Sequence, residues 1–195
     1  MKTILVTYAV KEEFITLNSS DNIQYVRTSV GKTKSAYYLT RKIIEEKPDF
    51  VLNIGTAGTI SHKVGDIFIA RHFIDRDYKA IKLPGIEYEI SGESLIKNYP
   101  ELKSWLSTYD KVGICSTGDT FVTEVASISE DFVDMEAYTQ AFVCKEMGVP
   151  FLSVKYITDI IGENSVEHWE NKLADACVGL SAWFAENDLL SIIGN

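Results

Sequence analysis

Phe50-Val51-Leu52-Asn53-Ile54-Gly55-Thr56-Ala57-Gly58 is an apolar run that passes into a glycine-rich stretch. Its first five residues read as a short buried strand ending at a turn signal. Upstream, Thr33 to Glu46 reads as a helix with Ala36, Leu39 and Ile43 on one face, and Pro48 follows its end. Thr3 to Ala9 and Ile23 to Ser29 read as strands before it. Downstream, Asp66 to Ile74 and Lys111 to Ser116 read as strands, with a helix over Ser94 to Leu106 between them. Glu136 to Met147 reads as a helix stopped by Gly148 and Pro150, and Phe151 to Ile157 as a strand. A last helix is expected from near Asn164, with Glu167 completing a capping box. Its apolar stripe is Val166, Trp169, Leu173, Ala176, Leu180 and Trp183. Strand and helix signals alternate, which predicts an α/β domain with helices on both faces of a central sheet.

The chain has 195 residues, of which 46% are hydrophobic, enough for one domain over residues 1–195 with a substantial core. Nineteen basic residues against 28 acidic give a net charge of −9, without a basic run. That balance argues against a nucleic-acid polymer or an anionic membrane as partner. Cys115, Cys144 and Cys177 are scattered and show no CxxC spacing, which reads as reduced thiols in a cytoplasmic protein. The apolar run Ile4-Leu5-Val6 is too short for a signal-peptide core, and no stretch reaches membrane-spanning length.

Several motifs fail on inspection. Val30-Gly31-Lys32-Thr33 resembles the end of a P-loop, but Val26 stands where the first glycine is needed. There is no GxGxxG and no GxSxG. His62, His72 and His168 lack paired-ligand spacing, so neither a metal nor a cofactor is expected.

What remains is a set of acids at the edges of apolar segments. Val133-Asp134-Met135-Glu136-Ala137 places carboxylates around a methionine at an expected helix start. Val154-Lys155-Tyr156-Ile157-Thr158-Asp159 closes a strand on a carboxylate, and Glu13 lies just past the first strand. In α/β folds ligands gather where strands end. Glu13, Thr56, Phe121 and Asp159 follow four separate expected strands. Three acids so placed suit a polyhydroxylated substrate and proton transfer. Each has a plainer reading. Glu13 could be a solvated member of Lys11-Glu12-Glu13, Asp159 a turn or helix N-cap, Glu136 a first-turn glutamate, and Met135 a core residue.

Seven segments also carry a resemblance: Thr7 to Glu13, Ser29 to Lys32, Asn53 to Gly58, Val64 to Asp66, Thr117 to Val122, Val133 to Ala137, and Ile157 to Asp159. In this order they resemble the nucleoside phosphorylase/nucleosidase family, closest to its methylthioadenosine/S-adenosylhomocysteine nucleosidase branch. The resemblance implies a three-layer αβα sandwich around a mixed, twisted sheet. It implies a purine nucleosidase acting on an adenosine-type nucleoside, with a futalosine hydrolase-like enzyme, a phosphorylase or a non-catalytic nucleoside-binding protein as alternatives. A homodimer and a small-molecule nucleoside as partner follow from it too.

The resemblance further implies residue roles. Glu13 would activate water and Asp159 would protonate the purine N7. Glu136 would accept from the ribose hydroxyls, which a carboxylate can do for two at once. Met135 would pack on the sugar, Phe121 would stack on the base, and the Val122 backbone would read the base edge. Val30 and Thr56 would complete the pocket. Phosphorylases of the family place an arginine three residues before the Ser/Thr of the glycine stretch, where this chain has Asn53. Water is therefore the expected acceptor. Lys155 stands where the related nucleosidases usually carry arginine, and the segments between Glu13 and Gly31 and between Phe121 and Val133 are short.

Overall fold

The computed structural model describes residues 2–17, 22–82, 84–125, 128–163 and 165–194. β1 (Ile4–Tyr8) lies between β2 (Ile23–Arg27) and β3 (Phe50–Thr59), parallel to both. Helix α1 (Lys32–Glu46) connects β2 to β3. β4 (Ile67–Asp75) leads through α2 (Arg76–Ile81) to the short β5 (Glu89–Ser91), α3 (Gly92–Leu95) and α4 (Pro100–Leu106). β6 (Val112–Thr117) and β7 (Phe132–Asp134) follow, then α5 (Ala137–Met147), β8 (Phe151–Ile160), α6 (Ser165–Glu186) and α7 (Leu189–Gly194).

β3 and β8 run parallel, β8 and β4 antiparallel, and β4, β6 and β7 parallel to one another in turn. β7 then returns to β3 through the pair Gly58–Val133. The mixed sheet thus closes on itself through five strands, with β2 and β1 extending from β3 and β5 flanking β4.

Strand alternation supplies both faces of the core. Ile4, Val6, Leu52, Ile54, Leu152 and Val154 pack with Leu102 of α4, Leu180 and Trp183 of α6, and Ile193 of α7. Leu5, Val51, Phe151 and Ile157 face the other way, toward Leu39 and Ile43 of α1 and Ala141 and Cys144 of α5. Helices therefore cover both faces, giving three layers. The α5 terminus is set by Gly148, whose φ of 68° suits the left-handed cap that a glycine takes without strain.

Several expected boundaries move. β3 continues through Gly55–Thr59, because those residues pair with Lys155–Ile160 of β8, itself three residues longer than expected. The expected helix over Ser94–Leu106 divides at Tyr99, because the residue before Pro100 is excluded from helical geometry; α4 begins at the proline. The stretch before Glu136 is strand β7. Helix α2 and strand β5 lacked a periodic signal. In α6, Leu173, Ala176, Leu180 and Trp183 are buried as expected, whereas Val166 is 47% exposed. The expected cap at Asn164 lies outside the described residues. All three cysteines are free. Among the described residues no helix is long and apolar enough to cross a membrane.

Candidate active site

The residues singled out from sequence converge. Glu13, Val30, Thr56, Phe121, Val122, Met135, Glu136 and Asp159 all line one cleft of about 290 Å³. β1 delivers Glu13 through the 3-10 turn Lys11–Glu13, β3 carries Thr56 and β8 carries Asp159. The segment after β6 supplies Phe121 and Val122, and the β7–α5 junction supplies Met135 and Glu136. Thr56 and Asp159 sit inside the last four residues of their strands rather than beyond them.

Glu13 is buried, which removes the solvated reading. Its Oε1 accepts from the Thr56 amide at 3.0 Å and the Thr56 hydroxyl at 2.7 Å. Its Oε2 accepts from the amides of Ala9 at 3.1 Å and Val10 at 3.2 Å. Four donors fill the lone-pair positions of the carboxylate and fix its orientation. The Thr56 hydroxyl in turn accepts from the indole N–H of Trp169 at 2.9 Å. Trp169 thus orients Thr56, and Thr56 orients Glu13.

Asp159 is also buried, within β8 and not at a helix cap or turn. Its Oδ1 accepts from the Thr158 hydroxyl at 2.8 Å. A Cβ at Gly58 would stand 2.7 Å from Asp159 Oδ2, so the neighbouring strand reaches this carboxylate only because it has no side chain there.

Glu136 occupies the N-cap position of α5 without making a side-chain cap bond to that helix. Its Oε1 instead accepts from the amide of Gly31, the residue preceding α1, at 2.9 Å. Burial, then the charge of nearby Asp134, pushes its pKa from 4.5 to about 8.

Beneath the cleft, Lys155 Nζ pairs with Asp134 Oδ2 at 2.8 Å. Burial disfavours the charge on Lys155, but the carboxylates of Asp134, Glu136 and Glu13 outweigh it and hold the ammonium above the usual lysine range. Burial likewise opposes the Asp134 charge, and the Lys155 charge overcomes it, so the Asp134 carboxyl lies below its ordinary range.

Phe121 meets Trp169 edge to face, with ring centroids 6.2 Å apart. Two cleft residues escaped sequence reasoning. Trp169 was assigned to the apolar stripe of α6, although an indole N–H near a buried face needs an acceptor. Arg76 also lines the cleft, and its two terminal nitrogens donate to the carbonyls of Ser116, Asp134, Gly118 and Thr120. No group of three metal-ligating side chains occurs among the described residues.

Fold and site define an α/β protein with an acid-lined cleft for a small polar molecule. The family model of the phosphorylase superfamily matches residues 6–181, and the chain belongs to that superfamily. Among curated relatives, the 5'-methylthioadenosine/S-adenosylhomocysteine nucleosidase of Bacillus pumilus is 30% identical over 172 residues, spanning 78% of this chain and 74% of that one. The enzyme of the same name from Bacillus subtilis is 30% identical with the same coverage. Among solved structures, the nucleosidase of that name from Helicobacter pylori, bound to butyl-thio-DADMe-Immucillin-A, superposes with a TM-score of 0.78 at 23% identity, covering 100% of this chain and 98% of that one. Futalosine hydrolase from Helicobacter pylori superposes with a TM-score of 0.76 at 24% identity, covering 95% and 96%. These structural likenesses establish the fold.

Proposed function

We propose that the protein is a purine nucleosidase that hydrolyses the N-glycosidic bond of an adenosine-type nucleoside, 5'-methylthioadenosine or S-adenosylhomocysteine. The observation that carries this reading is the burial of Glu13, Glu136 and Asp159 around one cleft walled by Phe121 and Trp169. The names of the curated relatives support it.

N-glycosidic hydrolysis needs a protonated leaving base, an electron-poor sugar and an attacking water. Asp159 gives its proton to N7 of the purine as the C1′–N9 bond breaks. Water bonds to C1′ and passes a proton to Glu13. The Ala9 and Val10 amides make the longer bonds to Glu13, so they are the donors that give way as Oε2 takes the proton. Glu136 accepts from the ribose hydroxyls, Met135 and Val30 pack on the sugar side, and Phe121 and the Val122 backbone hold the base. The products are the free base and a 5'-substituted ribose.

Water rather than phosphate is the acceptor on two observations. Asn53 is 2% exposed and belongs to a neutral network. Its amide donates to Thr7 Oγ1 at 3.1 Å, and its carbonyl accepts from Ser153 Oγ at 2.7 Å. The Thr7 hydroxyl donates onward to Gln140 at 2.6 Å. No guanidinium replaces Asn53, and Arg76 is committed to main-chain carbonyls, so a phosphate dianion would lack a paired fork.

Residues 1–195 act in this reading as one catalytic domain in the cytoplasm. The unit is a homodimer, supported by the exposure of Val30, which lines the cleft, of Phe14 and of Tyr37 on α1. Light scattering at micromolar concentration should return twice the chain mass; a monomer contradicts it. A nucleoside panel incubated with and without phosphate, read by chromatography for free base, tests the activity. Release of a ribose 1-phosphate that keeps the 5'-substituent as the main product overturns the hydrolase reading.

A further inference from the structure

Asp75-Arg76-Asp77, at the start of α2, joins three walls of the cleft. Arg76 Nη1 donates to the carbonyls of Ser116 and Asp134, each at 3.0 Å. Nη2 donates to the carbonyl of Gly118 at 3.2 Å and to that of Thr120. Ser116, Gly118 and Thr120 lead directly into Phe121 and Val122, and Asp134 leads directly into Met135 and Glu136. The two segments also meet where the Gly118 amide donates to the Asp134 carbonyl at 3.3 Å. A Cβ at Gly118 would fall 2.7 Å from Arg76 Nε, so the guanidinium lies against bare backbone.

The flanking acids extend the joint to the third wall. Asp77 accepts from the Asp119 amide at 3.1 Å and pairs with Lys32 Nζ at 2.7 Å. Asp75 pairs with the same ammonium at 3.0 Å. Asp119 accepts from the Lys32 amide at 2.7 Å, one residue from the Gly31 amide that holds Glu136. Val30, on the cleft side of this turn, is thereby tied to the same joint.

Resting on the nucleosidase reading, we propose that Arg76 is a positioning residue that fixes the spacing between the base-side wall, Phe121–Val122, and the sugar-side wall, Met135–Glu136. Four acceptors in two segments suit a planar fork and do not suit the point charge of lysine. A nucleoside spans both walls, so its binding requires them in register. Adenine alone touches one wall and does not. Arg76 therefore acts on the substrate through the two segments it holds.

The test compares Arg76→Ala and Arg76→Lys with the parent on two quantities: kcat/KM for 5'-methylthioadenosine, and the inhibition constant of adenine. Misplacing bound groups by about 1 Å costs on the order of 100-fold in rate. Arg76→Ala should lose about that factor in kcat/KM, with adenine inhibition little changed. Arg76→Lys should recover part of the loss, and it carries the same comparison alone where Arg76→Ala does not fold. Equal weakening of both quantities, or no change in either, overturns the inference while the parent remains active. A parent that neither cleaves a nucleoside nor binds adenine overturns the proposed function, and this inference with it.

Discussion

Lys155 Nζ lies 2.8 Å from Asp134 Oδ2, and neither side chain exposes more than 2% of its surface. Asp134 is further satisfied by the Thr117 hydroxyl at 2.5 Å and the Ala137 amide at 2.9 Å. Two charges out of water persist because each has the other, with Glu136 and Glu13 adding to the attraction on Lys155. Breaking such a pair from one side costs more than the pair contributes, because the remaining charge is stranded.

Lys155→Met should therefore destabilise the fold by about 3–5 kcal/mol, while Lys155→Arg, which keeps the charge, should cost much less. Urea unfolding at neutral pH measures both. A loss well below about 1 kcal/mol for Lys155→Met would mean that Asp134 finds another partner or a proton.

Glu136 gives a pH prediction. Its folded-state pKa is raised from 4.5 to about 8, so the folded protein holds this proton more tightly than the unfolded chain does. The sign follows: the associated stability is fully present below 4.5 and is lost as pH rises through about 8. Glu136→Gln fixes a neutral side chain and should raise Tm relative to the parent above that range, with little difference at low pH. An unchanged Tm difference across the pH series would contradict it. Accepting from both ribose hydroxyls, the role proposed for Glu136, favours its ionised form, so nucleoside binding near neutral pH should release a proton. Calorimetry in buffers of different ionisation heat reads that release directly.

Thr56 links Trp169 to Glu13 through a single hydroxyl. Thr56→Ser preserves both bonds and should retain most activity. Thr56→Val removes one donor from Glu13 and leaves the indole N–H without its acceptor, a loss of about 1–3 kcal/mol for an unsatisfied buried group. It should lower kcat more than it raises KM, since the role proposed for Glu13 is on water rather than on the nucleoside. Steady-state kinetics on the three proteins decides this, and a pure KM effect would place Thr56 on the substrate instead.

The acids were legible because each stands in a short local motif, Glu13 after β1, Glu136 after Met135 and Asp159 after Thr158. Gly55 and Gly58 read as a turn signal because local signals cannot reveal the pairing with β8, which is remote in sequence. The strand-like course of Val133–Asp134 was hidden for the same reason: its partners, Ser116–Thr117 and Gly58, come from other parts of the chain. Trp169 fitted the helical period of α6, and periodicity does not report that an indole N–H faces a hydroxyl on β3. Arg76 stood in no motif, and its role exists only once four distant carbonyls are brought together.

In the proposed reaction Glu13 and Asp159 perform acid–base chemistry on a nucleoside that the rest of the cleft binds. Chromatographic measurement of adenine released from 5'-methylthioadenosine in phosphate-free buffer, for the parent, Glu13→Gln and Asp159→Asn, tests it most directly. The expected result is release by the parent, and a fall in kcat by a factor of roughly 10²–10⁴ in each variant with nucleoside binding retained. Release at near-parental rates by both variants, or binding without release by all three proteins, would contradict it.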